Sequence, residues 1–187
     1  TDDGRTWTEI STRRSNAIRD LAAGNGRIVA VGDDGLIAVS MDLGQTWTEH
    51  PQPGPGFSSV AFGHDTFVAI ASKWNGNGFD TQCVTSTDGM SWSTCPFSSS
   101  QFRMALFGNG YLAVILPNGI AYSTDGSTWS QMQGSFPSKL AWAQDRWVGI
   151  SGSNPWTSNA LLQGWGEVMN GSELSGFRSI AGGWVRP

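Results

Sequence analysis

Short runs of apolar and β-branched residues alternate along the chain with turns rich in Gly, Asn and Asp. In the most regular unit, apolar runs cover Phe102 to Phe107, Tyr111 to Leu116 and Ile120 to Ser123, and the intervening turns are Gly108-Asn109-Gly110 and Pro117-Asn118-Gly119. The runs have strand length, and apolar residues do not recur in them at helical spacing. The pattern predicts an all-β chain made of antiparallel hairpins.

A turn of the form Asp-Gly-x-x-Trp follows the third strand of that unit and recurs along the chain. We expect its Asp to accept hydrogen bonds from the next backbone N–H groups and its Gly to take a positive φ. We expect its Trp to enter the fourth strand as a buried apolar anchor. The copies contain Asp3 with Trp7, Asp42 with Trp47 in a version one residue longer, Asp88 with Trp92, and Asp125 with Trp129.

The repeat length indicates the architecture. The Trp residues, continued by Trp165 in a unit that lacks the Asp, are separated by 40, 45, 37 and 36 residues. Repeated four-stranded units of about 40 residues are typical of β-propeller blades, with an open solenoid as the alternative. We therefore predict one five-bladed β-propeller domain over residues 1–187. Its blades are predicted at about 11–50, 51–95, 96–133 and 134–170, and the fifth at 171–187 with 1–10, so that the two termini close the ring.

The turn carries a family resemblance. The segment Ser40-x-Asp42-x-Gly44-x-Thr46-Trp47 resembles the Asp-box, or BNR repeat, of sialidases and other propellers. Together with the turn Gly24-Asn25-Gly26 before Arg27 to Val31, it is similar to sialidase-like repeat arrays of phage tail-associated and bacterial surface proteins. The resemblance implies a β-propeller in which the Asp-box is a structural turn, on the face opposite a sialidase active site.

Catalytic residues of the sialidase kind do not accompany these turns. That chemistry needs an arginine trio, a Tyr–Glu pair and an Asp acid, whereas the two tyrosines, Tyr111 and Tyr122, have no Glu close in sequence. Spacing singles out no carboxylate pair for other glycosidase chemistry. We expect a protein without catalytic activity and keep a sialidase-like glycoside hydrolase as an alternative.

Charge and composition exclude several partners. The chain has 11 Lys and Arg against 15 Asp and Glu, a net charge of −4, and no basic run to bind nucleic acid. No apolar run approaches the roughly 20 residues that membrane insertion needs. The histidines, His50 and His64, fall in unrelated loops, so we expect neither a metal site nor a cofactor.

Cys83 and Cys95 flank one Asp turn and are symmetric about Gly89 at its tip. They should lie opposite each other across two strands, which makes a disulfide geometrically possible. A disulfide would indicate an extracellular or virion-surface location. The alternative is a pair of half-buried thiols.

One position of the first strand is predicted to line the propeller channel. Three guanidiniums converging there would bind a carboxylate, phosphate or sulfate. Alternatively, each Arg pairs with an Asp or a carbonyl of a neighbouring blade. Alignment of the Gly turns places at this position Arg19, Ser58, Arg103, Ser138 and Arg178.

The connection between the second and third strands differs among units. It is minimal in the first and third, but covers Ser72 to Thr81 in the second and Ser151 to Ser158 in the fourth, where the third strand is predicted at Asn159 to Leu162. Aromatic rings beside amides and carboxylates suit a sugar or a protein partner, or else the rings fold back over the blade edges. The candidate binding residues are Trp74, Asn75, Phe79, Asp80, Asn154 and Trp156.

The sequence therefore predicts a non-catalytic, lectin-like recognition or attachment module of a virion, such as a phage tail or surface protein, or of a cell surface. Its expected partner is a surface glycan or another virion or surface protein. A purely structural virion or scaffold propeller is the alternative, in which the same loops are buried against neighbouring subunits.

Overall fold

The computed structural model describes residues 17–143, 146–151, 154–162 and 166–167, which form an all-β structure of four-stranded antiparallel sheets. The first sheet contains β1 (Ile18–Gly24), β2 (Arg27–Gly32), β3 (Ile37–Ser40) and β4 (Thr48–Glu49). The second contains β5 (Ser59–Gly63), β6 (Thr66–Trp74), β7 (Phe79–Ser86) and β8 (Ser93–Thr94). The third contains β9 (Met104–Gly108), β10 (Tyr111–Leu116), β11 (Gly119–Ser123) and β12 (Ser130–Gln133). The fourth contains β13 (Lys139–Ala143), β14 (Arg146–Ser151), β15 (Asn154–Ser158) and β16 (Gly166–Glu167).

Each sheet is a meander in which neighbouring strands follow one another in the sequence. The predicted all-β, antiparallel, four-stranded units are thus confirmed for the four described sheets. Asp3, Trp7, Trp165 and Arg178 lie outside the described residues, as does the predicted fifth blade at 171–187 with 1–10. Helical structure in the described ranges is limited to a 3-10 turn at Asp33–Gly35, and none of it has the length and apolarity to cross a bilayer.

The sheets pack face to face in chain order. The first strand of each sheet contacts the first strand of the next, so β1 lies against β5, β5 against β9 and β9 against β13. Within β10, Leu112 and Val114 pack toward the second sheet, whereas Ala113 and Ile115 pack toward the fourth. Successive residues of a strand point to opposite faces, so a strand covered on both sides needs a continuous apolar run.

We call the first strand of each sheet its inner strand. The inner strands of the first three sheets each end in a glycine, which lets the next sheet approach closely. A Cβ at Gly24 would lie 2.0 Å from the ring of Phe62, and one at Gly63 would lie 2.0 Å from the ring of Phe107. Gly108 is covered in the same way by Trp142 and Trp147. A ring of each later sheet thus lies on backbone that only glycine leaves accessible.

Two sequence predictions need correction. The repeat tryptophans do not enter the fourth strands: Trp47 precedes β4 and Trp92 precedes β8, and both rings are only partly buried. Their indole N–H groups instead donate to Gly44 O (2.9 Å) and Gly89 O (2.8 Å) and close the turn. The third strand of the fourth sheet is β15, at 154–158 instead of the predicted 159–162. That strand contains Pro155, which is tolerated because it stands near the start of the strand.

Candidate recognition site

The hairpin of β6 and β7 projects further than the other second-to-third-strand connections described. These strands have nine and eight residues and stay paired as far as Trp74 opposite Phe79, leaving a turn at 75–78. The first sheet makes the same connection with residues 33–36. We call residues 72–81 the aromatic hairpin. The predicted long loop is therefore mostly paired strand.

Two aromatic rings lie side by side at the end of the aromatic hairpin. The centroids of Trp74 and Phe79 are 5.2 Å apart and their planes make an angle of 68°. Trp74 is 59% exposed and Phe79 is 40% exposed. The edge-to-face contact holds each ring against the other and leaves much of both in solvent. An apolar surface of this kind, rimmed by polar groups, is typical of an interaction site.

Asn75 organises the turn of the aromatic hairpin. Its Oδ1 accepts from the N–H groups of Asn77 (3.0 Å) and Gly78 (3.1 Å), and its Nδ2 donates to Oδ1 of Asp80 (2.7 Å). The N–H of Asn75 also donates to Gly78 O at 3.0 Å. The side chain of Asn75 thus fixes the position of the Asp80 carboxylate at the end of the hairpin. Asn75 acts here as a positioning residue.

Two hydrogen bonds join the aromatic hairpin to residues 95–103, which lead into the third sheet, and a disulfide joins the same segment to Cys83, two residues beyond the hairpin on β7. Cys83 and Cys95 are bonded, are both buried, and have Cα atoms 5.3 Å apart. Thr81 Oγ1 donates to Ser99 O (3.2 Å), and the N–H of Phe102 donates to Ser72 Oγ (2.7 Å). These contacts restrain the hairpin from one side.

Sequence reasoning missed the restraining hydroxyl groups of Ser72 and Thr81. The alternation of residues along β7 could have indicated Thr81. Phe79, Thr81 and Cys83 alternate along β7 and therefore share one face. A residue on the face of a disulfide cysteine, two positions from it, is a natural partner for the segment that carries the second cysteine.

Asn154 and Trp156 do not join this site. The interpretation of Ser151 to Ser158 as a loop is wrong, because Asn154 pairs with Ser151, and Trp156 lies within β15 opposite Gly149. The ring of Trp156 is partly buried. The third sheet stands between the fourth sheet and the second. The structure therefore brings together Trp74, Asn75, Phe79 and Asp80 and leaves the other two candidates in a separate place.

At the predicted channel position of the first sheet, Arg19 is paired with a carboxylate, but the partner differs from the one that the alternative predicted. Arg19 donates from Nε to Oδ1 of Asp33 (2.8 Å) and from Nη2 to Oδ2 (2.9 Å). Asp33 belongs to the same sheet, whereas the alternative placed the partner on a neighbouring blade. The hydrogen bond from Arg19 lowers the pKa of Asp33 and raises that of Arg19. Arg103 is exposed just before β9, and convergence of three guanidiniums stays a prediction.

The Asp turns share one hydrogen-bond pattern. Oδ1 of Asp125 accepts from the N–H groups of Ser127 (2.8 Å) and Thr128 (2.6 Å), and Ser123 Oγ accepts from Gly126 N–H at 2.9 Å. Gly126 has the positive φ, 78°. These bonds lower the pKa of Asp125. The carboxylate is engaged by the turn's own backbone.

The other two described Asp turns are built alike. Oδ1 of Asp88 accepts from Ser91 and Met90, each at 2.8 Å, and these two N–H groups lower its pKa. Hydrogen bonds from the hydroxyl and N–H of Thr46 lower the pKa of Asp42 to about 2. Across the described ranges, no group of three or more His, Cys, Asp or Glu side chains is placed to hold a metal ion.

Solved structures with the same fold are known. No protein-family model matches the chain, and no curated protein matches it. YCF48 from Cyanidioschyzon merolae superposes with a TM-score of 0.63 at 17% identity, over 86% of this chain and 59% of that one. A structure of YCF48 bound to D1 peptide gives a TM-score of 0.58 at 20% identity, over 82% of this chain and 54% of that one. YCF48 is a β-propeller.

The chain has a β-propeller fold. The computationally designed Ika4 protein is also similar, with a TM-score of 0.52 at 15% identity over 76% of this chain and 91% of that one. At these identities the likeness concerns the fold. The propeller spans less than two thirds of the length of either YCF48 chain.

Proposed function

We propose that this propeller is a non-catalytic recognition or attachment module whose contact element is the aromatic hairpin. The observation that carries the proposal is the exposure of Trp74 and Phe79 on a hairpin restrained by the Cys83–Cys95 disulfide. Rigid aromatic side chains lose little conformational entropy when they bind, and a restrained hairpin loses less than a free loop.

Four of the described Asp carboxylates are bound by other groups of the fold, which supports a role without catalysis. Asp42, Asp88 and Asp125 hold their own turns, and Asp33 pairs with Arg19. A glycosidase needs two carboxyl groups that face a common cleft. A carboxylate whose oxygens are bound by local N–H groups is poorly suited to that chemistry.

A surface glycan or another virion or surface protein is the proposed partner, at an extracellular or virion-surface location. The disulfide supports an oxidising location because such bonds persist outside the reducing cytosol. The faces of Trp74 and Phe79 suit the apolar side of a sugar ring or an apolar side chain, and Asp80 at the end of the same hairpin offers a hydrogen-bond acceptor. YCF48, which shares the fold, has been solved with D1 peptide bound.

Binding measurements with matched variants test the proposal. The purified chain is applied to a glycan array and to immobilised virion or cell-surface proteins. Replacing both Trp74 and Phe79 by Ala should weaken binding by at least about tenfold, because central aromatic contacts dominate interfaces. Leu43→Ala, which truncates an exposed apolar side chain on an Asp turn, is the control and should bind like the original protein. Equal loss in both variants, or full binding by the double variant, contradicts the proposal.

A structural scaffold is the second candidate, favoured by the same exposed rings if they lie between subunits. It predicts self-association in light scattering that the Trp74→Ala and Phe79→Ala changes abolish, and no glycan binding. For the architecture, we propose a five-bladed ring in which residues 171–187 and 1–10 supply the fifth blade.

A further inference from the structure

The dipeptide Asn-Gly, which is reactive in proteins, recurs along the chain. The backbone nitrogen of the glycine can attack Cγ of the asparagine, because glycine has no Cβ to hinder the approach. Within the described ranges the dipeptide occurs at hairpin ends, and its copies begin at Asn25, Asn75, Asn77, Asn109 and Asn118. Their surroundings determine which of them can react.

Two copies have a backbone conformation that prevents the attack. Asn25 and Asn109 each begin a two-residue turn and have φ values of 50° and 46°. Left-handed backbone of this kind has a ψ of about +30 to +60°, which turns the next nitrogen away from Cβ of the same residue. Cγ and the nitrogen of the following glycine therefore lie on opposite sides of the Cα–C bond.

Two further copies are restrained by the sheet or by hydrogen bonds. After Asn118, Gly119 is buried in β11 and pairs with both neighbouring strands, so its backbone is held within the sheet. At Asn75 the side chain itself is held, because Oδ1 accepts two N–H groups and Nδ2 donates to Asp80. The amide of Asn75 would break these hydrogen bonds by turning toward Gly76.

Asn77 has neither kind of restraint. Its side chain is exposed, its backbone lies outside the left-handed region, and its amide group makes no hydrogen bond to another described residue. Gly78 stands in open space, since a Cβ built there would meet nothing within 4 Å. Its N–H donates to Oδ1 of Asn75 at 3.1 Å, and the attack breaks this bond. Asn77 is therefore the described copy in which the side-chain amide is free to meet the next nitrogen.

We propose that Asn77–Gly78 is a self-modification site, at which the asparagine is deamidated to aspartate and isoaspartate. A base in solution takes the proton of the Gly78 N–H, and the nitrogen forms a bond to Cγ of Asn77. The Cγ–Nδ2 bond breaks and ammonia leaves with a proton from the solvent, which gives a five-membered imide. Water opens the imide at either carbonyl, so that one water is consumed for each ammonia released.

The isoaspartate product opens the turn of the aromatic hairpin. In this product the chain runs through Cβ and Cγ of residue 77, so one more atom separates the two N–H groups that Oδ1 of Asn75 accepts. Asn75 should lose one of these bonds and, with it, its fixed position against Asp80. The reaction needs no partner and is thus independent of the recognition role proposed above. Where that role holds, deamidation limits the lifetime of the binding surface.

Peptide mapping of the full chain, after incubation in mildly alkaline buffer, tests the proposal. Cleavage after Lys73 and Arg103 gives one peptide with both Asn75 and Asn77, and fragmentation within it locates the change. Asn77 should be modified at least about tenfold faster than the other described copies. In the urea-unfolded chain all copies should react at similar rates, because the structural restraints are gone. An unmodified Asn77, or an equal rate at Asn75 in the folded chain, overturns the proposal.

Two variants separate the reaction from its consequence. Gly78→Ala should keep the turn, because φ is not positive there and the added Cβ has open space. It should slow deamidation of Asn77 by about tenfold, because alanine reaches the reactive backbone conformations less freely than glycine. Asn77→Asp adds the charge but leaves the path of the backbone unchanged.

Hydrogen exchange of residues 74–80 is the readout for the opening of the turn. Exchange should rise in the incubated chain and stay unchanged in Asn77→Asp. Undiminished deamidation in Gly78→Ala overturns the proposed attack by the Gly78 nitrogen. An equal rise of exchange in Asn77→Asp overturns the opening by the longer backbone and assigns the effect to the added charge.

Discussion

The hairpins of the second and fourth sheets contain similar residues in different positions. In the second sheet Trp74 is the last residue of β6, pairs with Phe79 across the hairpin end, and is mostly in solvent. In the fourth sheet Trp156 is the third residue of β15, pairs with Gly149 and Glu167 inside the sheet, and is partly buried. The disulfide restrains the first hairpin and does not reach the second.

The difference shows that the distance from the turn determines the role of a tryptophan in this fold. A ring that lies within the sheet packs on a neighbouring strand, whereas a ring at the end of an extended hairpin extends beyond the neighbouring sheets. Only the second arrangement presents a surface to a partner. Three measurements test this contrast.

Removal of the disulfide should have the largest effect. Changing Cys83 and Cys95 to Ser should lower the free energy of unfolding by about 3 kcal/mol, because the bond closes a short loop and restricts the unfolded chain. Urea unfolding measures this, with the original chain under reducing conditions as the control. Hydrogen exchange should rise more in the aromatic hairpin than in β14 and β15; an equal rise in both would remove the distinction drawn here.

Truncation of the two tryptophans should have the next largest effect. Trp156→Ala should cost about 2 kcal/mol of stability through lost packing, whereas Trp74→Ala should change it by less than about 0.5 kcal/mol because the ring is exposed. Thermal and urea unfolding measure both.

Trp156→Phe is the matched control for that comparison. The Trp156 indole N–H is buried and meets no acceptor among the described residues. The phenyl ring removes this donor and keeps apolar contact, so Trp156→Phe should cost less than Trp156→Ala. A larger loss of stability from Trp74→Ala than from Trp156→Ala would reverse the assignment of the two roles.

Acidification should produce the smallest of the three differences between the second and fourth sheets. The second sheet has Asp88 in its turn, while the corresponding turn of the fourth sheet has Ala160, whose N–H donates to Ser158 Oγ. A carboxyl whose folded pKa is lowered stabilises the fold above its unfolded pKa, about 4, and the contribution is lost as pH falls through the folded pKa. With the pKa of Asp42 at about 2, the loss for that turn falls between about pH 4 and 2.

Amide chemical shifts followed as the pH falls from about 4 measure the difference between the second and fourth sheets. The signal of Ser91 should move as Asp88 is protonated, and the signal of Ala160 should stay in place. Asp88→Asn should flatten the dependence of the melting temperature on pH. A pH dependence unchanged by this substitution would show that the carboxylate does not stabilise the turn.

Sequence reasoning located the strands that are buried on both sides. The apolar runs at Arg27 to Val31 and Tyr111 to Leu116 correspond to β2 and β10 almost residue for residue. These runs need apolar residues on both faces, and Gly-Asn-Gly turns with positive φ at Asn25 and Asn109 separate them from the preceding strands. Four-stranded units and the β-propeller fold followed from them.

The candidate site was less predictable because its strands lie beyond the core. Lys73 to Trp74 and Phe79 to Asp80 form strand by pairing with each other, so no apolar period distinguishes them from a loop. The interpretation of Ser151 to Ser158 as a loop was wrong because Pro155, near the start of β15, is a residue type that is also typical of turns. Which residues restrain the aromatic hairpin depends on the path of 95–103, which the local pattern leaves open.

The glycine and ring contacts between sheets have a consequence for the order of synthesis. Each aromatic ring that packs on such a glycine belongs to the next sheet along the chain, which is synthesised later. Phe62 packs on Gly24 in this way, and Phe107 packs on Gly63. A nascent chain therefore exposes the inner strand of its newest sheet until about 40 more residues have left the ribosome. Each sheet is completed by its successor, so translation that pauses between units leaves one apolar edge uncovered at a time, and a premature stop leaves such an edge permanently open.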